Sequence, residues 1–419
     1  KAEKERDREQ WRENYPTAAK NSYRRLKKFT PSKKINKQFI SIADIPYREN
    51  AIIAIRSPMG TGKTQCIADI LREIERRYPD EGALALGHRN NLLIQSSERW
   101  GFIHLKSAEI EGKSIQSLIS DLTSKISTCF DSLIKFNPHN FDGRNLILDE
   151  TTAGIIHLLT SKTEVSKRLK EICELFKEAL RRCKRVFCLD GLLTDSAINY
   201  ISKLAGNKSV YKIQNTYKNP VNITHFIGTE EQIEGELILR KNKRSPLFEM
   251  LTTAERPVVV SDSQILIAAV NEILKAEGKR GLMVTSETSA EDYVKEFLKS
   301  PDEYIKKYQP DFLLYNSSLE SGNDVSIRNY FTEGYYFYFG VIWTDAQHQM
   351  VFRVRDENLQ RFVWCKEFNS TTEKLRSPFP RSNLKNHQSL LLKDIQNCFE
   401  NGEDVTEKLK ALSEMNREN

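Results

Sequence analysis

Residues 57–64 read Ser-Pro-Met-Gly-Thr-Gly-Lys-Thr, a set of residue types and spacings suited to gripping phosphate. Gly60 and Gly62 let the backbone bend so that its N–H groups, those of Met59 and Thr61 included, converge on phosphate oxygens. Lys63 is placed to reach the β and γ phosphates of ATP, and the Thr64 hydroxyl to ligate Mg²⁺. The usual first glycine of G-x-x-x-x-G-K-[ST] is Ser57 here. Further along, Asn145-Leu146-Ile147-Leu148-Asp149-Glu150 is an apolar run closed by two carboxylates. In a nucleotide site Asp149 would hold Mg²⁺, directly or through water. Glu150 would orient and deprotonate the attacking water. A surface turn is the alternative for an Asp-Glu pair. The apolar run before it and its position downstream of Lys63 favour the catalytic reading.

These groups must be positioned by a buried framework. Ala51-Ile52-Ile53-Ala54-Ile55 delivers the glycine turn as a strand, and the turn opens a helix over 63–77 with apolar Ile67, Ile70, Leu71 and Ile74. The positive end of that helix adds to the pull on phosphate. From residue 38 onward, short apolar strands alternate with amphipathic helices, the pattern of a mostly parallel sheet covered by helices. Strands are expected at 51–56, 83–87, 145–149, 185–189 and 222–227, and helices at 63–77, 90–99, 114–124, 164–180 and 194–204. A second series follows Pro257, with strands at 257–261, 281–285, 311–315, 335–342 and 361–365 and helices at 263–277, 289–299 and 325–331. The chain therefore divides into a basic helical extension and linker (1–37), a first α/β domain (38–218), a second (219–366) and a helical tail (367–419).

The chain has 419 residues, enough for two domains with appendages, and 39% of them are hydrophobic against 29% charged, a balance expected of a globular protein with a polar surface. The formal charge is +7, compatible with a polyanionic partner without demanding one. No run of about 18 apolar residues suggests a membrane span. The seven cysteines are scattered, with no C-x-x-C pair, so a reduced, cytoplasmic protein without a zinc site is expected. The first residue is Lys1 rather than Met, as in a fragment of a longer protein.

Adjacent carboxylates in place of a lone aspartate are typical of helicases and translocases, whose ATP site is completed by arginine from a second RecA-like domain. Gln349, Arg353 and Arg355 in His-Gln-Met-Val-Phe-Arg-Val-Arg-Asp (348–356) match the spacing of the helicase motif VI pattern Q-x-x-G-R-x-R, with Phe352 where glycine is usual. A guanidinium there would stabilise charge building on the departing γ-phosphate.

With these residues in hand, the chain resembles a superfamily 2 helicase core. It is most similar to the cyanobacterial-type plasmid replication proteins and more distantly to the herpesvirus origin-binding helicases. Ser-Pro-Met-Gly-Thr-Gly-Lys-Thr is close to their phosphate loop, and Gly87-His88-Arg89-Asn90-Asn91-Leu92 resembles their motif Ia. Thr128-Cys129-Phe130-Asp131-Ser132-Leu133 resembles their segment before motif II, and Asp149-Glu150 followed by His157-Leu158-Leu159 resembles the plasmid proteins' motif II run. Leu189-Asp190-Gly191-Leu192, Ser261-Asp262-Ser263 and the stretch 317–324 sit where motifs III, IV and V are expected, with Gly322 and Asp324 approaching nucleotide and neighbouring domain. The resemblance covers roughly 38–366. It implies an α/β fold of two RecA-like domains, ATP and Mg²⁺ as cofactors, and DNA, single-stranded foremost, as partner. It also implies a primase-like domain upstream in the full-length protein. Asp149-Glu150-Thr151-Thr152 lacks the His or Asp that often ends motif II, and no glutamine motif precedes the loop to select adenine.

For the strand-binding face the expected contacts are His88, Arg89, Ser132 and the pair Thr285-Ser286. Each reads equally well as an ordinary loop residue capping a helix. Tyr335-Tyr336-Phe337-Tyr338-Phe339 reads as a buried strand in preference to a base-stacking platform. The function expected is an ATP-dependent DNA helicase or translocase in plasmid or mobile-element replication. The alternatives are an ATP-switched origin-recognition or duplex-remodelling module that does not unwind, an RNA-directed helicase, and a phosphate-loop protein unrelated to helicases.

Overall fold

A computed structural model describes residues 28–160, 167–218, 221–225, 246–317, 319, 324–342 and 344–365. They fall into two units, the first running up to Lys218 and the second from Asn219. The expected helical tail (367–419), and residues 1–27 of the basic helical extension, lie outside the described residues.

The first unit is built on eight strands: β1 (Lys33–Ile35), β2 (Ala51–Arg56), β3 (Ala83–Gly87), β4 (Ile103–His104), β5 (Lys125–Cys129), β6 (Asn145–Leu148), β7 (Arg185–Asp190) and β8 (Ser209–Asn215). They form one sheet in the order β1-β8-β2-β7-β6-β3-β5-β4, and each neighbouring pair is parallel. Both faces are covered, which is why β2 reads as a continuous apolar run. Ile52 and Ala54 enter one core with Leu146 and Leu148, while Ala51, Ile53 and Ile55 enter the other with Ile147. The helix Lys63–Arg77 buries Cys66, Ile67, Ala68, Ile70, Leu71 and Ile74 on one stripe, and Arg76 and Arg77 lie at its negative end.

Lys33–Ile35, expected as part of a basic linker, is the edge strand β1, paired with β8. Sequence reasoning missed it because two of its three residues are lysines on an exposed edge, where burial leaves no pattern.

The second unit has six strands: β9 (Asn222–His225), β10 (Pro257–Ser261), β11 (Leu282–Val284), β12 (Leu313–Tyr315), β13 (Glu333–Tyr338) and β14 (Gln360–Cys365). Their order is β11-β12-β10-β13-β14-β9, parallel throughout. Val258 and Val260 face one core and Val259 the other. Tyr335, Tyr336, Phe337 and Tyr338 are buried on β13, as core residues.

No helix forms over 325–331. The Asp302 carboxylate accepts from Ser326 N and Ile327 N (2.8 and 3.1 Å), and Asp356 accepts from Asn329 N. These side chains take up amides that a helix would need, and Val325 instead bridges Val354 in extended conformation.

Candidate nucleotide site

Because the strands are parallel, their C-terminal ends share one edge, where open α/β sheets bind ligands. In the first unit that edge carries the loop after β2, His88 after β3, Asp149 after β6, Asp190 at the end of β7 and Asn215 at the end of β8. β7 lies between the loop-bearing β2 and the acidic β6.

Gly60 and Gly62 both have positive φ, 76° and 78°. A β-carbon on Gly62 would lie 3.6 Å from Phe39 Cδ1, an ordinary contact. The backbone angle, not crowding, therefore demands glycine there. Ser57 does not occupy the left-handed region, and its side chain has a use that glycine lacks. Its fully buried hydroxyl accepts from Asn215 Nδ2 (3.1 Å) and lies 2.5 Å from Thr61 Oγ1, while its N–H donates to the Asp190 carbonyl (3.1 Å). Thr61 Oγ1 also donates to the Pro58 carbonyl at 2.6 Å. The departure from the usual glycine thus fastens the loop to β8 and to Thr61, while the backbone bond to β7 would be open to glycine as well. Lys63 Nζ reaches back into the loop and donates to the carbonyls of Ser57 (2.7 Å) and Pro58 (2.9 Å). The Thr64 carbonyl is held by Trp100 Nε1 (2.9 Å).

Asp149 accepts from Ser96 Oγ (3.2 Å) and from the Glu150 amide (3.1 Å). Burial pushes its carboxyl above the usual carboxylate range, and the nearby Lys63 charge pulls it back down. Glu150 has φ of 49°, a left-handed conformation unusual for a non-glycine residue. Such strain persists where surroundings over-determine it. Here its amide is tied to Asp149 and its carbonyl accepts from Gly154 N (2.9 Å). Asp190 links this segment to the next, accepting from Thr152 N (2.9 Å) and Leu192 N (2.8 Å). With no His or Asp at the end of motif II, Asp190 is the side chain that joins the acidic strand's turn to the motif III loop.

Mg²⁺ in nucleotide sites takes one or two protein oxygens and completes its shell from phosphates and water. The Thr64 hydroxyl and the Asp149 carboxylate are that kind of donor set. Among the described residues no three His, Cys, Asp or Glu side chains form a self-sufficient cage. The hydroxyl and the carboxylate are of the oxygen-donor chemistry that Mg²⁺ takes.

In the second unit Asp324 binds both motif VI arginines. Its Oδ1 accepts from Arg353 Nη1 (3.1 Å), and its other oxygen pairs with Arg355. The two guanidiniums differ in access: Arg353 is 3% exposed, whereas the Arg355 side chain is 38% exposed. Gln349 sits near the end of the helix Thr344–Val351, and its carbonyl accepts from Phe352 N (3.2 Å). Gly322 lies outside the described residues.

Of the expected strand contacts, Arg89 precedes the helix Asn90–Trp100 and Ser132 lies in the short 3-10 segment Phe130–Lys135. His88 packs its ring against His157, centroids 5.7 Å apart. Burial and the Arg89 charge lower its pKa to about 3, so it contributes no positive charge at neutral pH. Thr285 is fully buried, and both its amide and its hydroxyl face Thr288 Oγ1 (3.0 and 3.4 Å). It has neither group to offer a strand, and the exposed residue of that pair is Ser286.

Three residues escaped sequence reasoning. Asn215 braces the loop. Phe39, 63% exposed, holds its ring beside Gly62, and Ile40 N donates to the Thr61 carbonyl (3.0 Å). Arg361, 1% exposed, donates to the carbonyls of Leu359 (2.9 Å), Val354 and Asp356 (both 2.8 Å) and so shapes the turn that carries Arg353 and Arg355. A lone arginine inside the apolar run of β14 was the available signal.

The fold and loop define a class, α/β with two wholly parallel sheets, the first bearing a glycine loop and an Asp-Glu strand end. Comparison with known proteins then narrows the likeness. Residues 24–230 match the family model described as origin of replication binding protein. The chain is 23% identical over 346 residues to an uncharacterized protein of Picosynechococcus sp., spanning 78% of this chain and 33% of that protein. It is 22% identical over 170 residues to the replication origin-binding protein of Psittacid herpesvirus 1, covering 40% of this chain and 19% of that one. The chain thus spans about a third or less of the length of the curated relatives it matches. Among solved structures, a point variant of Saccharomyces cerevisiae Dbp5 bound to RNA and ADP–BeF3 superposes with a TM-score of 0.49 at 12% identity, over 88% of this chain and 89% of that one. These matches join cyanobacterial and herpesvirus proteins to this chain, as its motifs led one to expect.

Proposed function

We propose that the chain is the ATP-driven motor of a DNA replication protein, a helicase or translocase acting for a plasmid or other mobile element. Residues 38–218 and 219–366 serve as its two lobes. The observation that carries the reading is the convergence of the glycine loop, Lys63, Asp149 and Glu150 on one sheet edge, with a match to origin-binding proteins over the same unit. ATP takes the loop amides and draws Lys63 from the Ser57 and Pro58 carbonyls onto its phosphates. Phe39 meets the base. Thr64 and Asp149 would hold Mg²⁺, which would supply screening of the phosphate charge. Glu150 accepts a proton from the attacking water. Hydrolysis in this reading also requires a guanidinium of the second lobe, Arg355 in preference to the enclosed Arg353. Strand contact falls to Arg89, Ser132 and Ser286, and no helix among the described residues is long and apolar enough to cross a membrane.

ATP hydrolysis measured with and without a single-stranded oligonucleotide, alongside strand displacement on a tailed duplex, tests this. The expected result is hydrolysis stimulated about tenfold or more by single-stranded DNA, with displacement. Stimulation without displacement supports an origin-bound switch or duplex translocase, stronger stimulation by RNA an RNA-directed enzyme. Hydrolysis indifferent to all nucleic acid contradicts the motor.

A further inference from the structure

The two oxygen donors assigned to Mg²⁺ come from segments that the sheet does not join directly. Thr64 follows β2 and Asp149 follows β6, and β7 lies between those strands. One helix touches both. The helix Asn90–Trp100 follows β3 and packs Leu93 and Trp100 into the core that holds Cys66, Ile67 and Ile70 of the helix Lys63–Arg77. From its C-terminal half, Ser96 Oγ donates to Asp149 Oδ2 (3.2 Å) and Trp100 Nε1 donates to the Thr64 carbonyl (2.9 Å).

The neighbouring serine shows that the partner of Ser96 is not a helix default. A serine inside a helix can bond to the carbonyl one turn back. Ser97 does so, to Leu93 (2.5 Å), and lies 2.5 Å from Ser127 Oγ of β5. Ser96, 4% exposed, is turned instead to the carboxylate at the end of β6. Because β3 lies between β6 and β5 in the sheet, adjacent serines on the helix that follows β3 reach the strand on either side.

We propose that Ser96 and Trp100 are positioning residues for the Mg²⁺ donor set, a role that rests on the nucleotide-site reading above. The Glu150 amide holds Asp149 Oδ1 (3.1 Å) and Ser96 holds Oδ2. Both oxygens are thereby fixed, and each keeps a lone pair for the ion or its water. Trp100 fastens the first turn of the helix that carries Thr64. A single helix thus sets where the carboxylate and the hydroxyl stand. Groups that hold a ligand in this way govern metal affinity through its orientation, without touching the metal.

Binding of a fluorescent, non-hydrolysable ATP analogue to the whole chain, measured in EDTA and across a Mg²⁺ titration, tests this. Wild-type affinity should rise with Mg²⁺. Ser96→Ala and Trp100→Phe each remove one donor; both should bind like wild type in EDTA and need about tenfold more Mg²⁺ to reach half of the rise. Ser97→Ala deletes a similarly buried hydroxyl that touches neither metal donor, and should titrate as wild type does. If Ser96→Ala and Trp100→Phe both titrate like wild type, or both lose the same factor in EDTA as in Mg²⁺, they brace the fold only and the inference is overturned. An equal shift in Ser97→Ala overturns it too, since any loss from that helix would then suffice. Should Ser96→Ala fail to fold, Trp100→Phe decides alone. Wild type that binds the analogue no better with Mg²⁺ would remove Thr64 and Asp149 as donors, and wild type that does not bind it at all would sink the nucleotide site itself; either result takes this inference with it.

Discussion

Lys63→Ala is expected to abolish ATP hydrolysis, by about 10³-fold or more in kcat, without unfolding the first unit. The magnitude follows from the chemistry. Lys63 is the cation of the loop itself, and removing one preorganised donor from a developing oxyanion costs about 10²–10³. Losing a full charge from two phosphates costs more. The fold should survive because the loop has other fasteners: the Ser57–Thr61–Pro58 hydroxyl network, the Asn215 brace and the Ser57 amide on Asp190. The Pro58 carbonyl loses a charged donor where water can replace it, since Lys63 and Pro58 are only half-buried, while the Ser57 carbonyl belongs to a fully buried residue that the other fasteners hold. Phosphate release under saturating ATP measures the loss, and an unchanged thermal transition checks the fold. Turnover at the wild-type rate would refute the site.

Glu150→Gln should separate binding from chemistry. The amide is isosteric, leaves the left-handed backbone and both backbone hydrogen bonds in place, and removes only the ability to take a proton. Nucleotide affinity is expected to stay within about threefold, while the chemical step slows by about 10²–10⁴, the usual contribution of a general base. Single-turnover hydrolysis and equilibrium binding of a fluorescent ATP analogue read the two separately. A variant that hydrolyses ATP as fast as wild type would remove Glu150 from the base role. Parallel loss of binding and turnover would make it a structural residue, held at φ 49° for the shape of the turn.

How much of this was legible in the sequence depends on the kind of burial involved. Strands β2, β3 and β10 stand where the apolar runs place them, because strands covered on both faces carry an unbroken hydrophobic signal. The glycine loop and the Asp-Glu pair were legible for the same reason, each being a polar cluster at the end of such a run. Strands β1, β5 and β8 were not. Lys33–Ile35 is mostly exposed, Ser209–Asn215 is only partly covered, and Lys125–Cys129 buries Ser127 and Thr128 as well as Ile126. The Ser127 hydroxyl is satisfied by Ser97 (2.5 Å) and His104 (2.9 Å), and such a partner cannot be read from local sequence.

The site divides the same way. The residues whose types announce chemistry could be named from sequence as candidates. The bracing contacts of Asn215, Asp190 and Arg361 join distant segments and could not. The helix expected at 325–331 fails because Asp302 and Asp356, 24 and 27 residues away from their partners, take up its amides. Thr285 was misread because a Thr-Ser pair at a strand end gives no sign of which hydroxyl turns inward.

The central claim is that ATP hydrolysis requires a guanidinium of the second unit as well as the glycine loop of the first. Arg355→Ala tests it most directly, through single-turnover ATP hydrolysis in the presence of single-stranded DNA with nucleotide affinity measured in parallel. Asp324 would keep its bond to the enclosed Arg353, so the second unit should remain folded. The account predicts hydrolysis slowed by about 10²-fold or more with affinity little changed; a wild-type rate from the Arg355→Ala variant, with Arg353→Ala equally active, would contradict it.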